Sequence, residues 1–155
     1  MEGSQKHHRK SIRLKDYDYS EEGDYFLTIV TQKRLHLFGE IIHDEMQLSP
    51  IGKIVHEEWL RTPFIRQEID LGSFSIMPNH FHAIVHIKDI DPMNPDGLPE
   101  IIVDTRRGDR PVAPTKRPGL SKRSIGSLIA GFKSAATIRI NQYRGLPSMP
   151  VWQRN

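Results

Sequence analysis

Two apolar runs, Leu71 to Met77 and His80 to Lys88, are separated only by Pro78 and Asn79. Proline cannot donate to a strand ladder and asparagine tolerates a left-handed backbone, so this spacing reads as the turn of an antiparallel hairpin. The rest of the chain has to fold around it. Tyr25 to Thr31 is rich in β-branched and aromatic residues and reads as a first strand, its near-continuous apolar character pointing to a central position. Leu37 to Ile42 and Met46 to Leu48, split by His43-Asp44-Glu45, read as a second, short hairpin.

Helices follow from a different period. Ser49 offers an N-cap and Pro50 a first helical residue, and Ile51, Ile54, Val55 and Trp59 recur at helical spacing in a segment ending near Pro63. Ser121 or Ser124 caps a last helix with an apolar face of Ile125, Leu128, Ile129, Phe132, Ala136, Ile140 and Tyr143, stopped by Gly145. The order strand, hairpin, helix, strand, strand, helix describes an α+β, ferredoxin-like sandwich: an antiparallel sheet of about four to five strands with two helices on one face. The other face is left open. Residues 1–22 read as a basic arm and 23–155 as one domain, interrupted by a proline-rich, aperiodic stretch at 89–120 that reads as a long mobile loop.

A chain of 155 residues, 37% of them apolar, suits a single domain with a modest core. It has no cysteine, which removes disulfide frameworks, thiolate zinc sites and cysteine nucleophiles, and makes a reducing compartment, the cytoplasm, the expected location. The first residues lack the apolar stretch of a signal peptide, and no run is long enough to span a membrane. Net charge is only +3, but from Thr105 to Arg144 ten basic residues face one acid, Asp109. Such a tract is the footprint of a polyanion-binding surface and points to nucleic acid ahead of the alternative, a solvated loop. Lys133, Arg139 and Arg144 fall largely off the apolar face of the last helix; with Arg13 of the arm they are the candidate DNA contacts.

The strand after the Pro-Asn turn carries the chemistry. Side chains alternate across a strand, so His80 and His82 share one face about 6.6 Å apart, while Phe81, Ala83, Val85 and Ile87 form a core stripe on the other. Two imidazoles at that separation can converge on one cation, and the rigid turn beside them is the support a metal site needs. A generic His-x-His pair is also compatible with two solvated histidines on an exposed sheet face. His86 shares the face about 13 Å beyond His82 and reads as surface.

Met77-Pro78-Asn79-His80-Phe81-His82 resembles the HUH signature, histidine-hydrophobic-histidine, of the single-tyrosine transposases, particularly those associated with REP palindromes and related bacterial insertion elements. The likeness extends to Ser11–Tyr19, Phe38–Ile41, Phe132–Ala135 and Pro150–Asn155, and so over nearly the whole chain. It implies metal-dependent cleavage and rejoining of single-stranded DNA at hairpin sites, with His80 and His82 holding Mg²⁺ or Mn²⁺ and a tyrosine forming a 5′-phosphotyrosine link. No nucleotide cofactor is implied. The family's nucleophile lies on a helix beyond the segment that matches Trp152-Gln153-Arg154-Asn155, so the chain reads as truncated and, alone, inactive. Its tyrosines are Tyr17, Tyr19, Tyr25 and Tyr143. None matches the nucleophile position; Tyr143 is the fallback, and its spacing makes it a core-edge residue. The competing reading is a non-catalytic nucleic-acid-binding module on the same sheet. A histidine-based hydrolase would need a carboxylate base that residues 77–87 do not offer.

Overall fold

A computed structural model describes residues 17–88 and 123–154; the arm through Asp16 with Arg13, the 89–120 loop and Asn155 lie outside the described residues. Strand alternation decides the layers. Strand β5 (His80–Ile87) buries Phe81, Ala83, Val85 and Ile87 and turns His80, His82, Ile84 and His86 to the opposite face. It pairs antiparallel with β4 (Ile69–Met77) through the Pro78-Asn79 turn, and on its other side with β1 (Gly23–Val30). β1 and β4 therefore run parallel to each other with β5 between them, and helix α1 (Pro50–Leu60) crosses from one to the other as in a split βαβ unit.

Within the three-stranded sheet β5 lies in the middle, and the first strand gains a neighbour on its other side only at its C-terminal end. The first strand's run is apolar on both faces of β1: Leu27 and Ile29 are buried, whereas Phe26 is 68% exposed on the open face. Beyond β1 the chain returns at Val151–Gln153. The Gln32 amide donates to the Val151 carbonyl and the Gln153 amide to the Val30 carbonyl, both at 2.8 Å, around an antiparallel Thr31–Trp152 bridge. The resulting order, returning segment, β1, β5, β4, is the ferredoxin-like α+β arrangement.

The five strands among the described residues divide three and two. β2 (Gly39–Ile42) and β3 (Glu45–Leu48) form a separate hairpin whose turn residues His43 and Asp44 have φ of 51° and 62°, the geometry of a type I′ turn. Gly39 is required there: its φ is 146°, and a Cβ would fall 2.0 Å from the Gln47 carbonyl oxygen.

Helix α1 starts where the sequence indicates, with the Ser49 hydroxyl accepting the Gly52 amide at 3.0 Å and proline in the first turn. Its end differs. The helix closes at Leu60, and Pro63 sits in the first turn of a further short helix, α2 (Thr62–Ile65), a position where proline's missing N–H costs nothing. Of the two candidate caps for the last helix, α3 (Ile125–Arg144), Ser124 is the one used, accepting the Ser127 amide at 3.2 Å; Gly145 at φ 63° terminates it.

α1 and α3 both cover the Phe81 face. Trp59 of α1 packs edge-on to Phe81 and to Phe132 of α3, with ring centroids 4.8 and 5.1 Å apart. The helices are clamped by Arg139, which donates to Glu57 at 2.6 Å and to the buried Glu58 at 2.7 Å. Tyr143 corrects the sequence reading: it continues the apolar stripe by period yet is 59% exposed, because the helix outruns the layer it packs on. No described helix is long and apolar enough to cross a membrane.

Candidate metal centre on the open sheet face

His80 and His82 stand on the face that the helices leave bare, opposite Val30 and Thr28 of β1 and Met77 and Ser75 of β4. Their rings lie 4.6 Å apart between centroids and edge-on, at 76°. Each ring is held from behind. His80 Nδ1 is 2.7 Å from Asn79 Oδ1, and an amide oxygen only accepts, so Nδ1 carries the proton and Nε2 keeps its lone pair. His82 Nδ1 is 2.9 Å from the Thr28 hydroxyl, which when it accepts leaves His82 in the same tautomer. Burial, then the neighbouring His82 and the Arg34 charge, pull the His80 pKa below its usual 6.5. Its ring is accordingly neutral at neutral pH, the form a metal binds.

The pair opens into a cavity of about 220 Å³ lined by Thr28, Val30, Arg34, Asn79, His80 and His82. A neighbouring hollow of about 430 Å³ shares Val30 and Arg34 and adds Lys33 and Gln153. Arg34 thus borders both. It belongs to a tight turn after β1, in which Lys33 and Arg34 take φ of 54° and 56°, rare for side chains with a Cβ. Surrounding bonds impose this backbone: the Arg34 amide donates to the Thr31 carbonyl at 3.0 Å, and the Lys33 amide to Gln153 Oε1 at 3.1 Å. Buried Thr31 is itself fixed to the hairpin turn, its amide donating to the Asn79 carbonyl at 3.0 Å. One set of bonds therefore positions Asn79, the histidines and Arg34 together.

Two imidazoles behind a shared opening are nitrogen donors of the kind a divalent ion accepts. Among the described residues no group of three or more His, Cys, Asp or Glu that could hold a metal is assembled, and His80 and His82 stand as a pair. His86 is not one of them; it bonds Asp24 Oδ1 at 3.0 Å toward the other end of β5.

The expected basic contacts disperse. Arg139 is committed to Glu57 and Glu58 between the helices, and Arg144 lies half-buried in the last turn of α3. Lys133 adjoins the site indirectly, donating to the Gln153 carbonyl at 3.1 Å, with burial lowering its pKa. Arg13 is outside the described residues. Sequence reasoning missed Arg34, Thr28 and Phe26, whose ring stacks on His82 at 5.3 Å and 22°. Asn79 beside His80 was readable as a ring-orienting partner; Arg34 reaches the site only through the non-local bonds of Thr31 and Gln153. A larger cavity of about 540 Å³ is lined, among the described residues, by Thr137, Ile138, Asn141, Gln142, Gly145, Pro147 and Ser148, none of them ionisable.

No protein-family model matches the chain. A solved structure, that of a REP-associated tyrosine transposase bound to a REP hairpin, aligns with 95% of this chain at a TM-score of 0.49 and 13% identity; the chain spans 59% of that protein. A Haemophilus influenzae protein described as "Uncharacterized protein" is 36% identical over 149 residues, which make up 96% of this chain and 76% of that one. Identity at this level along nearly all of the chain means that it belongs to the same protein family as the Haemophilus influenzae protein.

Proposed function

We propose that the chain is a DNA-processing domain of the HUH single-tyrosine transposase type, binding Mg²⁺ or Mn²⁺ between His80 and His82 and single-stranded or hairpin DNA across the open sheet face. The observation that carries this reading is the pair of back-anchored imidazoles, tied by Asn79 and Thr28 and turned toward one cavity. Histidines left on a sheet face merely for solubility need no such anchoring. The Met77–His82 motif and its resemblance to the HUH signature support the same assignment.

Each residue has a distinct task in this account. Asn79 and Thr28 hold the rings so that both Nε2 atoms face the opening. A divalent cation bound there supplies positive charge against the oxygens of a DNA phosphate. Phe26, exposed and already stacked on His82, offers a π-surface to an unpaired base. Strand cleavage and rejoining through a phosphotyrosine is the activity proposed for the full catalytic apparatus.

A non-catalytic nucleic-acid-binding module is the second reading, and the placement of the tyrosines favours it for this chain alone. Tyr25 alternates with Phe26 and Thr28 onto the core side of β1, Tyr19 packs against the core, Tyr17 packs edge-on to Tyr19, and Tyr143 belongs to the helical layer. The readings separate on binding of a labelled DNA hairpin and of plain duplex at matched salt, with and without Mn²⁺. Preference for the hairpin, strengthened by Mn²⁺, is the expected result. Equal binding of both, indifferent to Mn²⁺, would leave only the generic module.

A further inference from the structure

We propose that Arg34 makes cation binding at His80 and His82 conditional on a phosphodiester: guanidinium and cation grip the same phosphate, and each is held weakly without it. This rests on the metal-binding reading of the histidine pair and adds to it a residue and an order of events.

Placement comes first. Arg34 lines the same cavity as both imidazoles. Its backbone cannot relax freely, because two successive left-handed residues are pinned between the Thr31 carbonyl and Gln153. Rare backbone conformations held by their surroundings concentrate where a side chain must be aimed.

Charge comes second. The other arginines near the core have carboxylate partners: Arg61 and Arg139 on Glu58, Arg66 on Glu68. Among the described residues no such pair holds Arg34, and the described residues that line its cavity with it include no carboxylate. A divalent ion entering this cavity alone meets repulsion from Arg34. A phosphodiester reverses the sign of that effect: one oxygen faces the ion, another accepts from the guanidinium, and the anion screens the two cations from each other. Coupling of this kind is reciprocal, so the ion must strengthen phosphate binding by the factor by which phosphate strengthens the ion's.

The test is Mn²⁺ binding to the whole chain, followed through the free-ion paramagnetic resonance signal at constant ionic strength. It is run alone, with a short single-stranded oligonucleotide too short to pair, and with the same oligomer as uncharged methylphosphonate. The wild type should bind Mn²⁺ about tenfold or more tightly with the charged oligonucleotide, within the usual range for coupled sites, and without change on the uncharged one. Arg34→Gln should bind Mn²⁺ alone more tightly than the wild type and lose most of the enhancement. Arg34→Lys, which keeps the charge but not the two-pronged donor, should keep the weak binding of Mn²⁺ alone with a reduced enhancement, and serves if the glutamine variant misfolds. Enhancement equal in all three proteins would overturn the role of Arg34. His82→Ala separates the two levels: if it changes Mn²⁺ binding in no condition, the histidine site itself is wrong, whereas a clear His82→Ala effect beside an inert Arg34 removes only this inference.

Discussion

Asn79 is the residue on which the geometry of the site turns. Its side-chain oxygen sets the His80 tautomer and its carbonyl receives the Thr31 amide, so one turn residue orients a ligand and anchors the loop that carries Arg34. Outer partners of metal-binding histidines usually matter nearly as much as the ligands. Asn79→Ala is therefore expected to weaken Mn²⁺ binding by about 10–100-fold, measured by titration in the presence of oligonucleotide; an unaltered affinity would show that the ring needs no such support. Phe26→Ala should weaken single-stranded DNA by about 1–3 kcal/mol while leaving duplex binding unchanged, and equal loss on both would point to disrupted folding. At this scale the histidines were legible because strand alternation is local and strict. Arg34 and Phe26 were not: one arrives through a turn whose shape depends on Gln153, and the other looks like core in a run whose two faces differ only after pairing.

At the scale of elements, the hairpin and both long helices follow from local signals: the Pro-Asn turn, the Ser49 and Ser124 caps, and Gly145. The departures come where tertiary context decides. Pro63 marks the start of α2 because Arg61 ends α1 first, and Tyr143 obeys the apolar period after the layer beneath it has run out. Arg139 shows how an off-face charge can be read two ways. It looked like a DNA contact in sequence, yet it neutralises Glu58, which is 5% exposed, and binds Glu57 on the facing helix. Arg139→Ala should therefore cost about 1–2 kcal/mol of stability in urea denaturation, because Arg61 still partners the buried carboxylate. DNA affinity should stay the same. A loss of DNA affinity without a loss of stability would restore Arg139 as a contact.

The described residues form a two-sided layer. Helices α1 and α3 cover one face of the sheet through Trp59, Phe81 and Phe132, and the other face carries Thr28, Phe26, His80 and His82 with Arg34 at its rim. The antiparallel α+β plan was legible from element order; the division of the strands into three and two, and the return of Val151–Gln153 beside β1, depended on pairings between distant segments. This division of faces bears on chemistry, because in-line attack needs a nucleophile held about 3–3.5 Å from phosphorus. Tyr143 belongs to the helical layer and Tyr25 packs against the core with its hydroxyl donating to the Glu21 carbonyl, so a polypeptide of these 155 residues is expected to form no covalent adduct with labelled hairpin DNA and Mn²⁺ on denaturing gels. An adduct abolished by Tyr143→Phe would contradict that arrangement.

The most direct measurement of the central claim is the Mn²⁺ affinity of the wild type and of His82→Ala, each saturated with the same short single-stranded oligonucleotide at the same ionic strength. If His80 and His82 share one ion, removing one of two protein donors should weaken binding at least about tenfold, comparable to or larger than the loss of an outer partner. Equal affinities would mean that the paired imidazoles hold no metal.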